Sequence, residues 1–261
     1  MFALDLARFE ALLFDLDGVV TRTAAVHARA WKRTFDELLA ELAGGAPWQP
    51  FDLDREYRAH VDGKPRRDGI RGFLGARGIA LPEGDPGDGP GARTVHGLAA
   101  RKNRQLLERL AEDGVEVYPD AVRLLARARA DGCKIAVVSA SENCEAVVAA
   151  ADLTSQFQVR VDGVDIARRG LRGKPAPDTF LEAAARLAVA PRRSVVLEDA
   201  IAGVAAGRAG GFGLVIGVAR GDRAEQAAAL RSAGADAVVA SLDELELVRG
   251  PAARPGEQEL R

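Results

Sequence analysis

Short apolar runs alternate with helical stretches along the second half of the chain, from residue 115 onward. Strands that alternate with helices predict βαβ units, in which helices cover both faces of a parallel sheet. The predicted strands are Ile135–Ser139, Phe157–Val161, Val195–Glu198, Leu214–Val218 and Ala237–Ala240, and the predicted helices are Ala121–Ala130, Glu145–Ala150, Asp178–Leu187, Ala202–Ala209 and Arg223–Ala233.

One further strand, Ala11–Asp15, lies near the amino terminus, directly before a turn at Asp17 and Gly18. The residues after it differ in pattern. Residues 24–42 carry apolar positions at helical spacing, and residues 54–110 show further helical patterns without a convincing strand. We therefore predict an α/β fold with a Rossmann-like parallel sheet core and an inserted, mostly α-helical segment.

The boundaries of these parts follow from the same patterns. The core is predicted to comprise residues 1–23 and 116–249, and the insert residues 24–115. Within the insert, Glu83–Ala92 is rich in Gly, Pro and Asp, which predicts a loop. Residues 250–261 carry two prolines and several charges and are expected to form a loose tail.

Composition excludes several classes of function. The formal net charge is −2, which argues against a nucleic-acid partner or a basic membrane-binding surface. No stretch approaches the ~20 apolar residues of a membrane span. The two cysteines, Cys133 and Cys144, lack metal-type spacing and are expected to be reduced thiols. We expect a cytoplasmic monomer that binds a small molecule.

Three of the predicted strands end in polar residues. Asp15 and Asp17 follow the first strand, Ser139 ends another, and Glu198 and Asp199 end a third. Ligands of open parallel sheets bind beyond the carboxyl ends of the strands, so these side chains could share one crevice. Helix N-caps also place Asp or Ser after a strand, which leaves unrelated caps and salt bridges as the alternative.

Four acids in one crevice would repel each other, and their pKa values would rise until some of them became neutral. A hard divalent cation removes this cost, and Mg²⁺ is commonly held by one or two carboxylates, water and a substrate phosphate oxygen. We therefore predict Mg²⁺ near Asp15, Asp17, Glu198 and Asp199.

Lysine is rare in this chain, with five lysines among 36 basic residues. One of them, Lys174, lies in a Gly-Lys-Pro turn before a predicted helix. A surface lysine in a turn is the simple alternative. Beside an acid cluster, an ammonium that offsets charge on Asp15 and on a transferring phosphoryl group is favoured. The turn is not a P-loop, since Pro175 replaces the required Ser or Thr.

The combination resembles the four motifs of the haloacid dehalogenase superfamily. The matching residues are Asp15-Leu-Asp-Gly-Val, Ser139, Lys174-Pro-Ala-Pro-Asp and Glu198-Asp199. The position of the insert resembles the subgroup with a helical cap domain. Within it, the β-phosphoglucomutase-like subgroup is matched by Thr21–Trp31, Arg101–Asn103, Val117–Pro119, Val138–Asn143 and Gly173–Asp178.

This resemblance implies a reaction and roles for the motif residues. The reaction is interconversion of β-D-glucose 1-phosphate and D-glucose 6-phosphate through glucose 1,6-bisphosphate. Asp15 would form an aspartyl-phosphate, and Asp17 would act as general acid and base. Mg²⁺ would be bound by Asp15, the Asp17 backbone carbonyl and Asp199, with Glu198 in support. Ser139 and Lys174 would hold the transferring phosphoryl group.

The resemblance also implies a set of residues around the sugar phosphate: Thr23, His27, Trp31, Arg66, Lys102, Ser139, Ala140, Ser141 and Asn143. Simple alternatives exist for three of them. His27 could be a core histidine, Trp31 could serve packing, and Arg67 could face the site instead of Arg66.

Two positions depart from the subgroup pattern. Arg22 stands where an acidic residue is common, and Glu142 stands where a basic residue helps to hold the distal phosphate. A carboxylate beside a phosphate dianion is unfavourable unless it turns away or pairs with an arginine. A sugar-phosphate phosphatase with the same Asp15 and Asp17 therefore remains an alternative. A catalytically silent sugar-phosphate-binding module is a further one, which the complete motif set disfavours.

Overall fold

A six-stranded parallel sheet forms the centre of the protein in this computed structural model, which describes residues 1–220 and 224–249. The strand order is β4-β3-β2-β5-β6-β7, and a separate pair joins β1 to β8. The strands are β1 (Phe2–Asp5), β2 (Ala11–Phe14), β3 (Lys134–Val138), β4 (Val159–Val161), β5 (Ser194–Glu198), β6 (Leu214–Val218), β7 (Ala237–Val239) and β8 (Leu245–Val248).

Nine helices surround or cap the sheet among the described residues. They are α1 (Ala24–Ala43), α2 (Arg66–Ala76), α3 (Val95–Asp113), α4 (Pro119–Ala130), α5 (Cys144–Ala150), α6 (Gly163–Arg169), α7 (Asp178–Arg186), α8 (Ile201–Ala209) and α9 (Ala224–Ser232). Each strand and helix predicted from the apolar runs is present, with its described ends shifted by at most two residues. The predicted start of the last helix, Arg223, lies outside the described residues. The predicted α/β fold is confirmed. The predicted tail, 250–261, lies outside the described residues.

The strands are apolar at successive positions because both faces of the sheet are covered. In β2, Leu12 and Phe14 pack into the core on one face, while Ala11 and Leu13 pack into the core on the other. All four are fully buried. β2 pairs with β3 on one side and with β5 on the other. The residue after β2 therefore lies in the middle of the row formed by the carboxyl ends of the strands.

Helices α1, α2 and α3 form a helical layer with a hydrophobic core of its own. Four aromatic side chains make the centre of this core, with neighbouring ring centroids 4.0 to 5.1 Å apart: Trp31, Phe35, Phe51 and Phe73. The loop at 83–92 was predicted and lies between α2 and α3. The helical layer can therefore keep its shape through its own packing.

Two features were not predicted from the sequence. The β1–β8 pair joins the two ends of the described chain in parallel register, from Phe2 opposite Leu245 to Asp5 opposite Val248. Helix α6 begins at a capping box on Asp162, whose carboxylate accepts hydrogen bonds from the backbone of Val164 and Asp165. Among the described residues, no helix combines the length and apolar character that crossing a bilayer requires.

Candidate active site

The ends of β2, β3 and β5 bring the predicted polar residues together. The Asp15 amide donates to the Leu197 carbonyl at 2.9 Å, so the pairing of β2 with β5 continues to this aspartate. The Ser139 amide donates to the Val161 carbonyl at 3.0 Å on the other side. Parallel pairing thus places Asp15, Ser139 and Glu198 at one edge of the sheet, as the strand termini predicted.

Lys174 reaches this edge from the loop before α7. Its Nζ lies 2.5 Å from Asp15 Oδ1, 2.6 Å from Glu198 Oε1 and 3.1 Å from the Val138 carbonyl. The side chain is 1% exposed, which does not fit a surface lysine. Burial opposes the charge, but Asp15 and Glu198 outweigh it and raise the Lys174 pKa. A permanent ammonium therefore lies against the Asp15 carboxylate.

Three acids form a cluster that fits a divalent cation. Oxygen atoms of Asp15, Glu198 and Asp199 lie within 4.8 Å of one another. Burial, followed by the charge of Glu198, raises the Asp199 pKa well above its ordinary value. Burial also raises the Asp15 pKa, although Lys174 opposes the rise. Carboxylate oxygens are the ligands that Mg²⁺ prefers, and the ion would relieve this repulsion.

The absence of a Cβ at Gly203 and at Gly18 leaves room for the carboxylates of Glu198 and Asp199. A Cβ at Gly203 would come 1.7 Å from Glu198 Oε1, and a Cβ at Gly18 would come 1.8 Å from Asp199 Oδ2. Gly18 also has a φ of +96°, which side chains disfavour. The Asp-Gly turn after β2 is therefore a steric requirement of the acid cluster.

Asp17 lies beside this cluster and faces the helical layer. Its carboxylate accepts hydrogen bonds from the hydroxyl groups of Thr23 and Ser139, the latter at 3.4 Å. His27 Nε2 lies 3.6 Å from Asp17 Oδ1. Asp17 is thus held by neutral donors, in contrast to Asp15, which contacts Lys174.

His27, on α1, and Lys102, on α3, are in contact where the helical layer lines the cleft. Lys102 Nζ lies 3.0 Å from His27 Nδ1, while the other ring nitrogen, Nε2, faces Asp17. Burial, followed by the charge of Lys102, lowers the His27 pKa to about 4. His27 is therefore neutral near pH 7. Trp31 packs in the helical core and also lies under Lys102, with 5.1 Å from Nζ to the ring.

Arg66, at the start of α2, lies on the far side of the same cavity. Its Nη1 is 3.1 Å from Glu142 Oε2, and its Nη2 donates to Asn103 Oδ1 at 2.9 Å. Asn143 Nδ2 donates to the same Asn103 oxygen at 2.8 Å. The departure at Glu142 is thus accommodated by an ion pair with an arginine, one of the two arrangements left open.

A single cleft connects these groups. Ten predicted site residues line it: Asp15, Asp17, His27, Trp31, Arg66, Lys102, Ser139, Ala140, Ser141 and Asp199. The remaining four do not line the cleft but form hydrogen bonds with other site residues: Thr23, Asn143, Lys174 and Glu198. Arg67, the alternative to Arg66, does not belong to the lining.

Seven residues of the cleft wall were not predicted. Ala24 and Ala200 are two of them, and the other five come from a π-helical turn (Tyr57–Val61) and the residues after it: Tyr57, Val61, Asp62, Gly63 and Lys64. Burial, followed by the charge of Glu198, raises the Asp62 pKa to about 7. The run of charge, Gly and Pro around Arg66, and the scarcity of lysine, were the signals that could have identified them.

Known proteins resemble the chain over most of its length. The haloacid dehalogenase-like hydrolase family model matches residues 9–211. A β-phosphoglucomutase of Mycobacterium bovis is 49% identical over 240 residues, 91% of this chain and 92% of that protein.

Solved structures agree with this result. A β-phosphoglucomutase of Clostridium difficile has a TM-score of 0.69 at 26% identity, over 91% of this chain and 93% of that one. CbbY of Rhodobacter sphaeroides, solved with xylulose-(1,5)bisphosphate, has a TM-score of 0.68 at 27% identity, over 92% and 97% of the two chains. The chain therefore belongs to the haloacid dehalogenase-like hydrolase family, in its β-phosphoglucomutase-like subgroup, and is a phosphoryl-transfer enzyme.

Proposed function

We propose that this enzyme is a β-phosphoglucomutase, which interconverts β-D-glucose 1-phosphate and D-glucose 6-phosphate. One observation carries the proposal: two carboxylates in different surroundings share one cleft. Asp15 contacts the Lys174 ammonium at 2.5 Å, and Asp17 is held by hydroxyl groups beside it. Such a pair provides a nucleophile and a separate acid–base group. The 49% identity to a mycobacterial β-phosphoglucomutase supports the substrate.

The reaction would proceed in two transfers. Phosphorylated Asp15 donates its phosphoryl group to the 6-hydroxyl of β-D-glucose 1-phosphate, while Asp17 accepts the hydroxyl proton. The bisphosphate then turns in the cleft. Asp15 attacks the phosphorus at the 1-position, the bond from phosphorus to the sugar oxygen breaks, and Asp17 returns the proton to that oxygen. Lys174 offsets negative charge on the phosphoryl oxygens in both transfers.

Mg²⁺ is the proposed metal, held by Asp15, the Asp17 carbonyl and Asp199, with Glu198 in support. When bound, the ion would neutralise charge on the transferring phosphoryl group. The backbone is consistent with this role for Asp17, since the Gly18 amide donates to the Thr21 carbonyl at 2.7 Å and the Asp17 carbonyl points in the opposite direction across the same trans peptide.

We further propose that residues 24–115 act as a cap domain over a core made of 1–23 and 116–249. Residues of both parts meet tightly at the cleft, since a Cβ at Gly173 would come 2.0 Å from Pro65 Cγ. Closure of this kind excludes water and favours transfer to a sugar over hydrolysis. The buried, unpaired thiols of Cys133 and Cys144 suit the proposed cytoplasmic location, and we propose a monomer.

A sugar-phosphate phosphatase is the second candidate. The Glu142 carboxylate forms an ion pair with Arg66, which reduces the positive charge available to the second phosphate of a bisphosphate. A phosphatase would need no such second site. It would use the same Asp15 and Asp17 but let water reach the aspartyl-phosphate.

One assay separates the two functions. We expect that β-D-glucose 1-phosphate, Mg²⁺ and a trace of glucose 1,6-bisphosphate yield glucose 6-phosphate, with release of inorganic phosphate at least about 100-fold slower because the closed cleft excludes water. Coupled detection of glucose 6-phosphate and of phosphate measures both rates. Phosphate release at a rate comparable to isomerisation would favour the phosphatase.

A further inference from the structure

The Arg66–Glu142 pair joins the helical layer to the loop that follows β3. Arg66 Nη1 and Glu142 Oε2 are 3.1 Å apart, with the Arg66 side chain 13% exposed and the Glu142 side chain 41% exposed. Arg66 lines the cleft that contains Asp15. The Glu142 carboxylate therefore pairs with a guanidinium that faces the phosphate-transfer site, and part of the Glu142 side chain remains exposed to solvent.

A second contact between the same two parts lies next to the pair. Asn103 Oδ1, on α3, accepts hydrogen bonds from Arg66 Nη2 at 2.9 Å and from Asn143 Nδ2 at 2.8 Å. The guanidinium thus stays oriented by Asn103 when Glu142 leaves it. An anion that replaced the carboxylate would find Arg66 already in place.

The backbone of the Glu142 loop has little freedom to move. A Cβ at Gly163 would come 2.6 Å from the Glu142 backbone nitrogen and 2.9 Å from its Cγ. The Gly163 amide donates to the Ser141 carbonyl at 3.1 Å. Because the loop is held against α6, displacement of Glu142 has to occur by rotation of its outer side chain toward solvent.

We propose that Glu142 is an internal competitor for the distal phosphate, pairing with Arg66 in the empty cleft and yielding it to the second phosphate of a bisphosphate. The inference rests on the proposed function in that it takes a sugar bisphosphate as the competing ligand. A phosphate that lies only at Asp15 leaves the pair intact. A bisphosphate has to displace the carboxylate and then lie near it, so Glu142 weakens its binding and speeds its release. This release lets the intermediate present its other phosphate to Asp15.

Glu142→Gln tests the competition between Glu142 and the distal phosphate for Arg66. The ligand-free protein should lose a contact, whereas binding of the bisphosphate should become tighter. In the ligand-free variant, amide hydrogen exchange at 62–66 should rise about tenfold, because a contact between the helical layer and the loop after β3 is lost. Binding of glucose 1,6-bisphosphate, measured by calorimetry in the Asp15→Asn background, should tighten about tenfold, since a competing charge is removed.

Glu145→Gln is the matched control. Glu145 lies three residues further along, and its carboxylate pairs with Arg160 at 2.9 Å. The same charge change there should leave exchange at 62–66 and bisphosphate binding unaltered. Bisphosphate binding that is equal or weaker in Glu142→Gln, or ligand-free exchange that does not change, overturns the inference. Exchange in the absence of ligand needs no substrate, so it tests the pair even if glucose 6-phosphate formation fails.

Discussion

Asp15→Asn is expected to lower turnover by about 10⁵-fold or more, because an amide cannot form the aspartyl-phosphate. The fold should persist. Asparagine has nearly the same shape, and Lys174 keeps Glu198 and the Val138 carbonyl as partners at 2.6 and 3.1 Å. Removing one charge from a cluster in which burial already raises the Asp15 pKa should not lower the melting temperature.

The measurement combines steady-state rates with intact-protein mass spectrometry after exposure to acetyl phosphate and Mg²⁺. The wild type should gain one phosphoryl group, and the variant should gain none. Asp243→Asn serves as the control, since Asp243 is half exposed and pairs with Arg123 away from the cleft. Turnover of Asp15→Asn above one thousandth of the wild-type rate, with the phosphoryl group still gained, would refute the nucleophile assignment.

Asp17→Asn is expected to have the second largest effect, and one that depends on the donor. Transfer between Asp15 and a sugar oxygen needs a proton acceptor or donor, so it should slow by about 10²–10⁴-fold. Acetate leaves acetyl phosphate without protonation, so phosphorylation of Asp15 from that donor should change by less than about tenfold. The Asp17 contacts to Thr23 and Ser139 use carboxylate oxygens, one of which asparagine retains.

Rapid-quench rates with the two donors measure this difference. Equal slowing with acetyl phosphate and with β-D-glucose 1-phosphate would mean that Asp17 acts through position or metal binding rather than through proton transfer. Unchanged rates with both donors would remove Asp17 from the chemistry altogether.

The polar residues at the carboxyl ends of the strands could be predicted because the signals for them lie within short stretches of the sequence. Apolar runs with both faces buried have no alternation, and each ends at the polar residue that faces the ligand side of the sheet. Asp15, Ser139 and Glu198 were therefore assigned to one crevice from three separate segments. Lys174 required the scarcity of lysine as a second signal, and its contact with two carboxylates gives that scarcity a physical reason.

Features that depend on distant partners could not be predicted in the same way. β1 and β8 are four residues each, and their pairing joins segments at opposite ends of the chain. Asp62 lines the cleft from a position directly after the π-helical turn and before Gly63, whose φ is +71°. The arginine that pairs with Glu142 could not be chosen from sequence, since Arg66 comes from a helix of the other layer.

A crystal structure with Mg²⁺ and beryllium trifluoride, a mimic of a phosphoryl group on a carboxylate, tests the central claim most directly. We predict beryllium bonded to an Asp15 carboxylate oxygen, Mg²⁺ bound by Asp15 and Asp199, and Lys174 within hydrogen-bonding distance of the fluorides. Beryllium on another side chain, or Mg²⁺ bound away from Asp15 and Asp199, would contradict the account.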